Sequence, residues 1–414
     1  MIARGMGRET RFGACLLQGA LLLNSALALF YVVLWIGLAR QGAFWKADFT
    51  AYYTAGSIVR DGQSARLYDL GVQQRYQQQI LAGRTFADGV LLFVNPPHAA
   101  ILFTPLAALP LSTAFFVWTG AQALLLAWLV RRLLRLGAEW TSRERWLLVA
   151  TVLAFPPLLF TFQLGALSLF VLVCVFETYV SLKRADEVSA GLWLALATLK
   201  PQAMLLPILI LPAARRWIAA ASFALAFAAA VIVSSALLGW RVWLDFRRLI
   251  GVVSQLFDAY GIVPAEMYNL KGTLTLLLGN EQRSLINGLS AGALMVAAGA
   301  VLVVWLRAAR PDDSRFELRV SLTVLLGTLF SLHLYPHDAL LLVAPAVLCY
   351  SYLRERSPSW RAYVAWLATC PLWFALSESF VGEALRIRIP VIAMVAMTVW
   401  TARTLYRRYP STSP

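Results

Sequence analysis

The run FGACLLQGALLLNSALALFYVVLWIGL, residues 12–38, contains no charged side chain and is long enough to cross a lipid bilayer as one α-helix. Arg4, Arg8 and Arg11 precede it, an arrangement that also occurs in cleaved signal peptides. The apolar run is too long for the core of such a peptide, so we predict a retained first span, residues 1–38, with a cytoplasmic N-terminus. The chain is therefore predicted to be a membrane protein.

The composition extends this prediction to the whole chain. Hydrophobic residues make up 60% of the 414 positions and charged residues only 14%, which excludes a soluble globular protein. We predict an all-α polytopic membrane protein that forms a single integral membrane domain, residues 1–414. The net charge of +15 lies in short basic clusters between apolar runs, which is typical of orientation signals and contacts with membrane lipids. We therefore expect no nucleic-acid partner.

The apolar runs predict about 12 transmembrane helices joined by two long external loops. The basic clusters between the runs are predicted to fall on the cytoplasmic side of the membrane, so both termini are expected in the cytoplasm. The plasma membrane is the expected location of the protein. The predicted segments are the first span 1–38, external loop 39–111 with interfacial helices, central spans 112–239, external loop 240–283 and C-terminal spans 284–414. Function is expected in the external loops.

The stretch KADFTAYYTAGSIVRDG, residues 46–62, opens the first external loop and carries the acid Asp48 close to the end of the first span. Tyr52, Tyr53 and Gly56 follow Asp48 at helical spacing. One interpretation is a functional carboxylate at the membrane edge. The other is a solvated loop acid that leads into an amphipathic surface helix.

The segment from Ala190 to Pro212 is too short for two full spans, so its turn is expected below the outer membrane surface. Lys200 and Gln202 lie at that turn, and Pro201 interrupts the helix between them. An ammonium group at membrane depth is tolerated when it lines a wet cavity or meets an anion.

Other polar residues at the same end of the predicted spans are candidates for the same site, and each also has an ordinary structural interpretation. Gln163 follows one span and could simply cap a helix, and Asn269 and Lys271 could be ordinary loop residues. His98 could be an amphipathic side chain whose polar end meets water at the membrane surface. His333, His337 and Asp338 lie in SLHLYPHD, where Pro336 breaks the helical spacing of the histidines and disfavours a metal site. We predict no metal. These candidates are Gln163, Asn269, Lys271, His98, His333, His337 and Asp338.

The sequence assigns no functional role to the four cysteines or to Glu177. The four cysteines all lie in apolar runs without paired spacing, so core packing is expected for each. Glu177 lies inside a predicted span, and Lys183 or Arg184 near the inner surface would be suitable partners. The sequence does not decide the role of Glu177.

Several motifs, in order and spacing, resemble glycosyltransferase family 87, a group of GT-C membrane enzymes that includes polyprenol-phosphate-mannose-dependent mannosyltransferases. They span about residues 45–345: ADFTAYYTAG, NPPHAAILFTPLAALP, QLGALSLFVLV, SAGLWLALATLKPQAMLLP, NLKGTL and HLYPHDALLLVAP. The resemblance implies a GT-C fold, Asp48 as the catalytic acid, and donor-site positions at Lys200, His337 and Asp338, with Gln202 beside them. Two departures weaken any transfer of mannose specificity: QLGALS replaces a Gly-Gln pair, and a Ser-Trp-Asp-His-His form is missing.

The expected function is transfer of a hexose, mannose in the resembling enzymes, from a polyprenyl-phosphate sugar to a lipid or glycan acceptor outside the cell, with inversion. Besides this donor we expect no cofactor. The substrate cavity is expected to include Tyr52, Tyr53, His98, Gln163, Asn269 and Lys271. A secondary transporter with its site at the interrupted helices around Lys200 is the main alternative, and a non-catalytic membrane partner that keeps the fold is a third.

Overall fold

The computed structural model describes residues 2–42, 48–84, 86, 90–306, 315–356, 360–377 and 388–406. Lys46 and Ala47, which open the stretch around Asp48, lie outside the described residues, as do the basic residues Arg407 and Arg408. Within the described part every regular element is a helix, and the single β-bridge joins Ala259 to Ile262. The prediction of an all-α protein is confirmed.

Short 3-10 helices lie between some of the α-helices, and several of them lie near the polar candidates. The α-helices are α1 (Ile2–Arg40), α2 (Asp48–Arg60), α3 (Leu70–Ile80), α4 (Pro97–Phe103), α5 (Leu111–Leu136), α6 (Ser142–Leu153), α7 (Pro156–Leu164), α8 (Ser168–Lys183), α9 (Glu187–Leu196), α10 (Ile210–Ala213), α11 (Trp217–Leu238), α12 (Arg241–Val253), α13 (Leu270–Leu278), α14 (Arg283–Leu306), α15 (Phe316–Leu329), α16 (Val343–Arg356), α17 (Trp360–Ser377) and α18 (Ile389–Tyr406). The 3-10 helices that matter below are Pro201–Ala203 and Pro336–Leu342.

Six helical segments in the described residues are long and apolar enough to cross a membrane, and a seventh is possible if α6 and α7, bent by 46°, form one span. The chain is therefore a multi-pass membrane protein, but the predicted count of about 12 spans is not confirmed. The two counts differ because several of the predicted spans form helices that are too short to cross a bilayer. Helices such as α15, with 14 residues, are short for a bilayer, and the run after Lys200 consists of 3-10 turns and the four-residue α10.

Helix α2 is buried, which excludes the interpretation of an amphipathic surface helix. Ten consecutive residues from Phe49 to Ile58 lie in its buried part. Gly56 allows the close approach of α4, because a Cβ atom there would lie 2.6 Å from the carbonyl oxygen of Phe103. Phe49 packs edge-on against the rings of Phe103 and Phe115. The first turn of α2, which carries Asp48, is thus anchored in the core.

The partner of Glu177 differs from the two candidates that the sequence suggested. Both carboxylate oxygens of Glu177 accept hydrogen bonds from Arg132 on α5, at 2.6 and 2.7 Å, and the Trp128 indole donates a third at 2.9 Å. Lys183 instead pairs with Glu317, 2.6 Å away. Glu177 is therefore a structural acid that joins α8 to α5, because a buried carboxylate needs such compensation.

The fold predicts that Gln63 and Glu281 are exposed on one face of the membrane and Arg184 on the other, because α8 leads from the polar candidates to Arg184. Single cysteines at these positions, in a chain whose native cysteines are replaced by alanine, test this with a membrane-impermeant maleimide on intact cells. Positions 63 and 281 should share one labelling pattern and position 184 should show the opposite one. Different patterns at 63 and 281 would contradict the common face.

Candidate active site

Asp48 is the first residue of α2 and lies at the partly exposed edge of a buried polar cluster. A carboxylate in the first turn is favoured there by the helix dipole. Its side chain is 28% exposed, while the next residue, Phe49, is fully buried. The backbone is therefore held by packing while the carboxylate can meet solvent or a substrate.

The turn after α7 supports this arrangement. Gly165 has a φ of +64°, and its carbonyl accepts a 2.8 Å hydrogen bond from the Trp118 indole. A Cβ atom at Gly165 would lie 2.8 Å from the Cβ of Phe49, so glycine allows the turn to approach α2. The same turn places Ser168 at the start of α8, directed at the cluster.

Lys200 and Asp338 form the buried ion pair at the centre of the cluster. The Lys200 ammonium contacts Oδ1 of Asp338, and both side chains are less than a tenth exposed. The Ser168 hydroxyl donates to the same oxygen at 2.6 Å, and the Tyr335 backbone N–H donates to Oδ2 at 3.3 Å. These bonds provide the compensation that a buried carboxylate requires.

Asn95 and Tyr335 hold the segments that carry the ion pair. The amide of Asn95 donates a 2.9 Å hydrogen bond to the carbonyl of Leu199, the residue before Lys200. The Tyr335 hydroxyl accepts from the backbone N–H of Val263 at 2.8 Å and donates to the Gly261 carbonyl at 3.1 Å. Neither residue was predicted to belong to the site. Asn95 does lie in the NPPH motif and Tyr335 in HLYPHD, where a polar group before proline was the available signal.

His337 joins Asp48 to the ion pair. Its Nε2 atom lies 3.4 Å from Oδ2 of Asp48, 3.5 Å from Oδ1 of Asp338 and 3.2 Å from the Lys200 ammonium. The ring stacks on Tyr335, with centroids 6.1 Å apart. A protonated Nε2 can donate to either carboxylate, whereas an unprotonated Nε2 can accept from Lys200.

The two predicted tyrosines of α2 have different environments. Tyr52 stacks on Phe103, with centroids 4.8 Å apart, and lies within electrostatic range of Asp48 and Asp338. Burial, together with these two carboxylates, raises the pKa of Tyr52 well above its ordinary value, so its hydroxyl stays protonated. The Tyr53 hydroxyl is occupied by a 2.6 Å hydrogen bond to the carbonyl of Leu109.

Asn269 and Lys271 are buried, unlike ordinary loop residues. The side chain of Asn269 donates to the Ser331 carbonyl at 2.8 Å and accepts from the Gly272 N–H at 2.8 Å, which caps α13. The Lys271 ammonium lies 4.9 Å from the centre of the Phe257 ring. The second predicted loop is therefore packed against the segment that leads to His337.

Gln163, Gln202 and His98 take no part in the described contacts around Asp48. Gln163 and Gln202 are half-buried, and the side-chain amide of neither forms a hydrogen bond with another described residue. His98 stacks on Trp243, with centroids 5.9 Å apart, and its two ring nitrogens are buried without a hydrogen-bond partner in the described part of the chain. Burial lowers the pKa of His98 to about 4, so this imidazole is neutral.

The two histidines of SLHLYPHD do not share one helix, because Pro336 begins a new 3-10 helix between them. His333 precedes the 3-10 helix that begins at Pro336, and its ring packs edge-on against Tyr335. Across the described ranges, no group of three or more His, Cys, Asp and Glu side chains is arranged to hold a metal ion.

The ion pair predicts a specific pattern of stability. Lys200→Met or Asp338→Asn alone leaves a buried charge without its partner, a change that typically costs about 3–5 kcal/mol. The double variant removes both charges and should lose less stability than the sum of the single changes. The thermal unfolding midpoint of the purified protein in detergent measures this. Lys183→Met, at a lysine that is 40% exposed, is the matched control and should change little. Additive losses would contradict the pairing.

Comparison with known proteins identifies the family of the chain. The profile of glycosyltransferase family 87 matches residues 93–331. The match includes Asn95, Ser168, Lys200 and Lys271, whereas Asp48, His337 and Asp338 lie outside it. No curated protein and no solved structure matches the chain. Because the match covers more than half of the sequence, the chain belongs to glycosyltransferase family 87 and is a multi-pass membrane glycosyltransferase.

Proposed function

We propose that this glycosyltransferase transfers a hexose from a polyprenyl-phosphate sugar to a hydroxyl group of a lipid or glycan acceptor, with inversion at C1. Mannose is the first sugar to test, because the family resemblance points to it. The reaction takes place at the outer face of the cell membrane, where the polar cluster meets solvent.

The observation that carries this proposal is the difference in exposure within the cluster. The side chain of Asp48 is 28% exposed, whereas those of His337 and Asp338 are each 5% exposed. Asp338 also receives hydrogen bonds from Ser168 and Tyr335, in addition to its ion pair. Asp48 is thus the carboxylate of this cluster that can approach an acceptor, and one of its oxygens accepts no hydrogen bond from the described part of the chain.

The proposed step is a direct displacement at C1 of the donor sugar. The acceptor oxygen forms a bond to C1 while the bond from C1 to the phosphate oxygen breaks and its electron pair leaves with the polyprenyl phosphate. Asp48 takes the acceptor proton, which is general base catalysis. Because the acceptor enters opposite the leaving group, the product has the inverted anomeric configuration.

His337 positions the base in this scheme. Its Nε2 lies 3.4 Å from the Asp48 carboxylate, so a proton on this nitrogen orients the carboxylate and leaves its other oxygen for the acceptor. The ion pair between Lys200 and Asp338 holds His337 from the other side. The leaving phosphate requires a cation, and Lys200 and Lys271 are the lysines that the sequence assigned to the site.

Other predicted residues have groups suited to sugar hydroxyls. The neutral hydroxyl of Tyr52 lies near both carboxylates, and Gln163 and Gln202 have amide groups free of hydrogen bonds to described residues. We assign these three to the sugar-binding part of the cavity. Tyr53 supports α2 through Leu109, and His98 contributes packing against Trp243.

An apolar cavity offers space for a short part of the polyprenyl tail. It has a volume of about 100 Å³ and is lined by Leu342, Phe155, Phe374 and Met394, among other side chains. Leu342 ends the short 3-10 helix that contains Asp338, so this helix connects one wall of the cavity to the ion pair. An apolar chain that leaves the site in this direction is removed from water, which favours binding by about 25 cal/mol per Å² of apolar area.

The transporter alternative has less support from the geometry. Its site was expected at Lys200, but the charge of Lys200 is already paired with Asp338. The accessible ionisable group of the cluster is Asp48, and the chain belongs to a glycosyltransferase family. Substitution of Asp48 also separates the two functions, because a transport site at Lys200 should tolerate it.

Asp48→Asn and Asp48→Ala should reduce sugar transfer by about 10²–10⁴-fold, the usual effect of removing a positioned base. Binding of the donor should change little, because Asp48 acts on the acceptor. The measurement is turnover with a polyprenyl-phosphate sugar by purified protein, together with donor affinity. Asp61→Asn is the matched control, since Asp61 is an exposed acid just after the same helix.

Transfer at the wild-type rate by Asp48→Asn would exclude Asp48 as the base. Loss of transfer together with a large fall in the thermal unfolding midpoint would show a structural role instead. Asp61→Asn should keep full activity in either case, because its ion pair with Arg60 is exposed.

A further inference from the structure

Lys271 is a buried cation whose charge is not balanced within the described structure. The residue is 6% exposed, and its ammonium packs over the ring of Phe257 at 4.9 Å from the centroid. It forms no ion pair with a carboxylate in the described ranges, whereas Lys200, the other buried lysine of the site, contacts Asp338. A buried ammonium without an anionic partner is costly, so an anion that binds beside it is favoured.

The cluster around Asp48 has the opposite imbalance. It contains two carboxylates, Asp48 and Asp338, but one ammonium, Lys200. With His337 neutral, the cluster has one negative charge, and a phosphate group placed against it would be repelled. The charge of Lys200 is thus neutralised by Asp338 within the cluster. A donor phosphate needs a second cation close by.

Two hydrogen bonds place the segment of Lys271 against the segment that carries His337. The backbone N–H of Tyr268 donates to the Leu334 carbonyl at 2.8 Å, and the side-chain amide of Asn269 donates to the Ser331 carbonyl at 2.8 Å. These bonds bring the start of α13 against the segment just before His337. His333, on that segment, lies within electrostatic range of Lys271 and also of Asp338, Lys200 and His337.

The local backbone adds to the attraction for an anion. Lys271 lies in the first turn of α13, where the helix dipole favours negative charge. Gly272 keeps this turn tight, since a Cβ atom there would lie 2.8 Å from the carbonyl carbon of Met267. Burial lowers the pKa of Lys271, and a bound phosphate would favour its charged form again.

We propose that Lys271 binds the phosphate of the lipid-linked donor, while Lys200 is a positioning residue that neutralises Asp338. This inference rests on the proposed function and deepens it by assigning the phosphate subsite. The donor phosphate has one negative charge before transfer and gains charge as the bond to C1 breaks. A cation beside it therefore stabilises both the bound donor and the leaving group.

The test compares binding of a polyprenyl phosphate and of the matching uncharged polyprenol to the purified full-length protein in detergent. Lys271→Met and Lys271→Gln should each weaken binding of the polyprenyl phosphate by at least about tenfold, which corresponds to 1.4 kcal/mol. Polyprenol binding should stay within about twofold, and Lys271→Arg should restore most of the phosphate affinity. Unchanged phosphate affinity in both neutral variants would overturn the inference.

Arg283→Met is the matched control, because Arg283 lies over the same Phe257 ring but is exposed. It should leave the polyprenyl phosphate affinity unchanged. A phosphatidylglycerol arm distinguishes the donor phosphate from a lipid headgroup. If Lys271→Met weakens phosphatidylglycerol and polyprenyl phosphate equally, Lys271 serves a general headgroup site and the inference is wrong.

A wild-type experiment covers the case in which the neutral variants do not fold. A polyprenyl phosphate with a diazirine on its first isoprene unit should crosslink within residues 257–278. Crosslinks confined to other segments would overturn the inference. Failure of the proposed function is a separate result: wild-type protein would then transfer no sugar from any polyprenyl-phosphate sugar, even though phosphate binding depended on Lys271.

Discussion

The contact between Lys200 and Asp338 is the interaction on which the site depends. Two opposite charges buried inside a protein are stable only when they meet in good geometry and when their remaining hydrogen-bonding groups are satisfied. Asn95 fixes the backbone beside Lys200, while Ser168 and the Tyr335 N–H satisfy Asp338. Four segments that are distant in sequence therefore have to converge on one point.

This convergence explains how an accessible acid can be rigid. Asp48 is exposed enough to meet a substrate, yet it begins a helix whose next residue is packed between Phe103, Phe115 and the turn at Gly165. His337 then joins the accessible carboxylate to the buried ion pair. The charge that remains in this cluster is negative, which is suited to taking a proton but unsuited to holding phosphate. Lys271 on the neighbouring segment provides the missing positive charge.

The sequence was sufficient to predict the all-α membrane fold and the grouping of Asp48, Lys200, His337 and Asp338, because charged residues at the ends of apolar runs have few ordinary explanations. It was insufficient for the span count, since apolar composition does not show where a run breaks into 3-10 turns, as after Lys200. It also missed the Arg132 partner of Glu177, which lies on another helix. The burial of α2 and Lys271 depends on tertiary packing, which the pattern of a single segment does not contain.

The most direct test of the central claim is the reaction itself. Purified protein is incubated with a panel of polyprenyl-phosphate sugars and a membrane lipid extract, and the glycosylated product is identified by mass spectrometry and its anomeric configuration by NMR. The account predicts a product that contains the donor hexose in the configuration opposite to that of the donor. A product with retained configuration, or transfer from a nucleotide sugar with none from any polyprenyl-phosphate sugar, would contradict it.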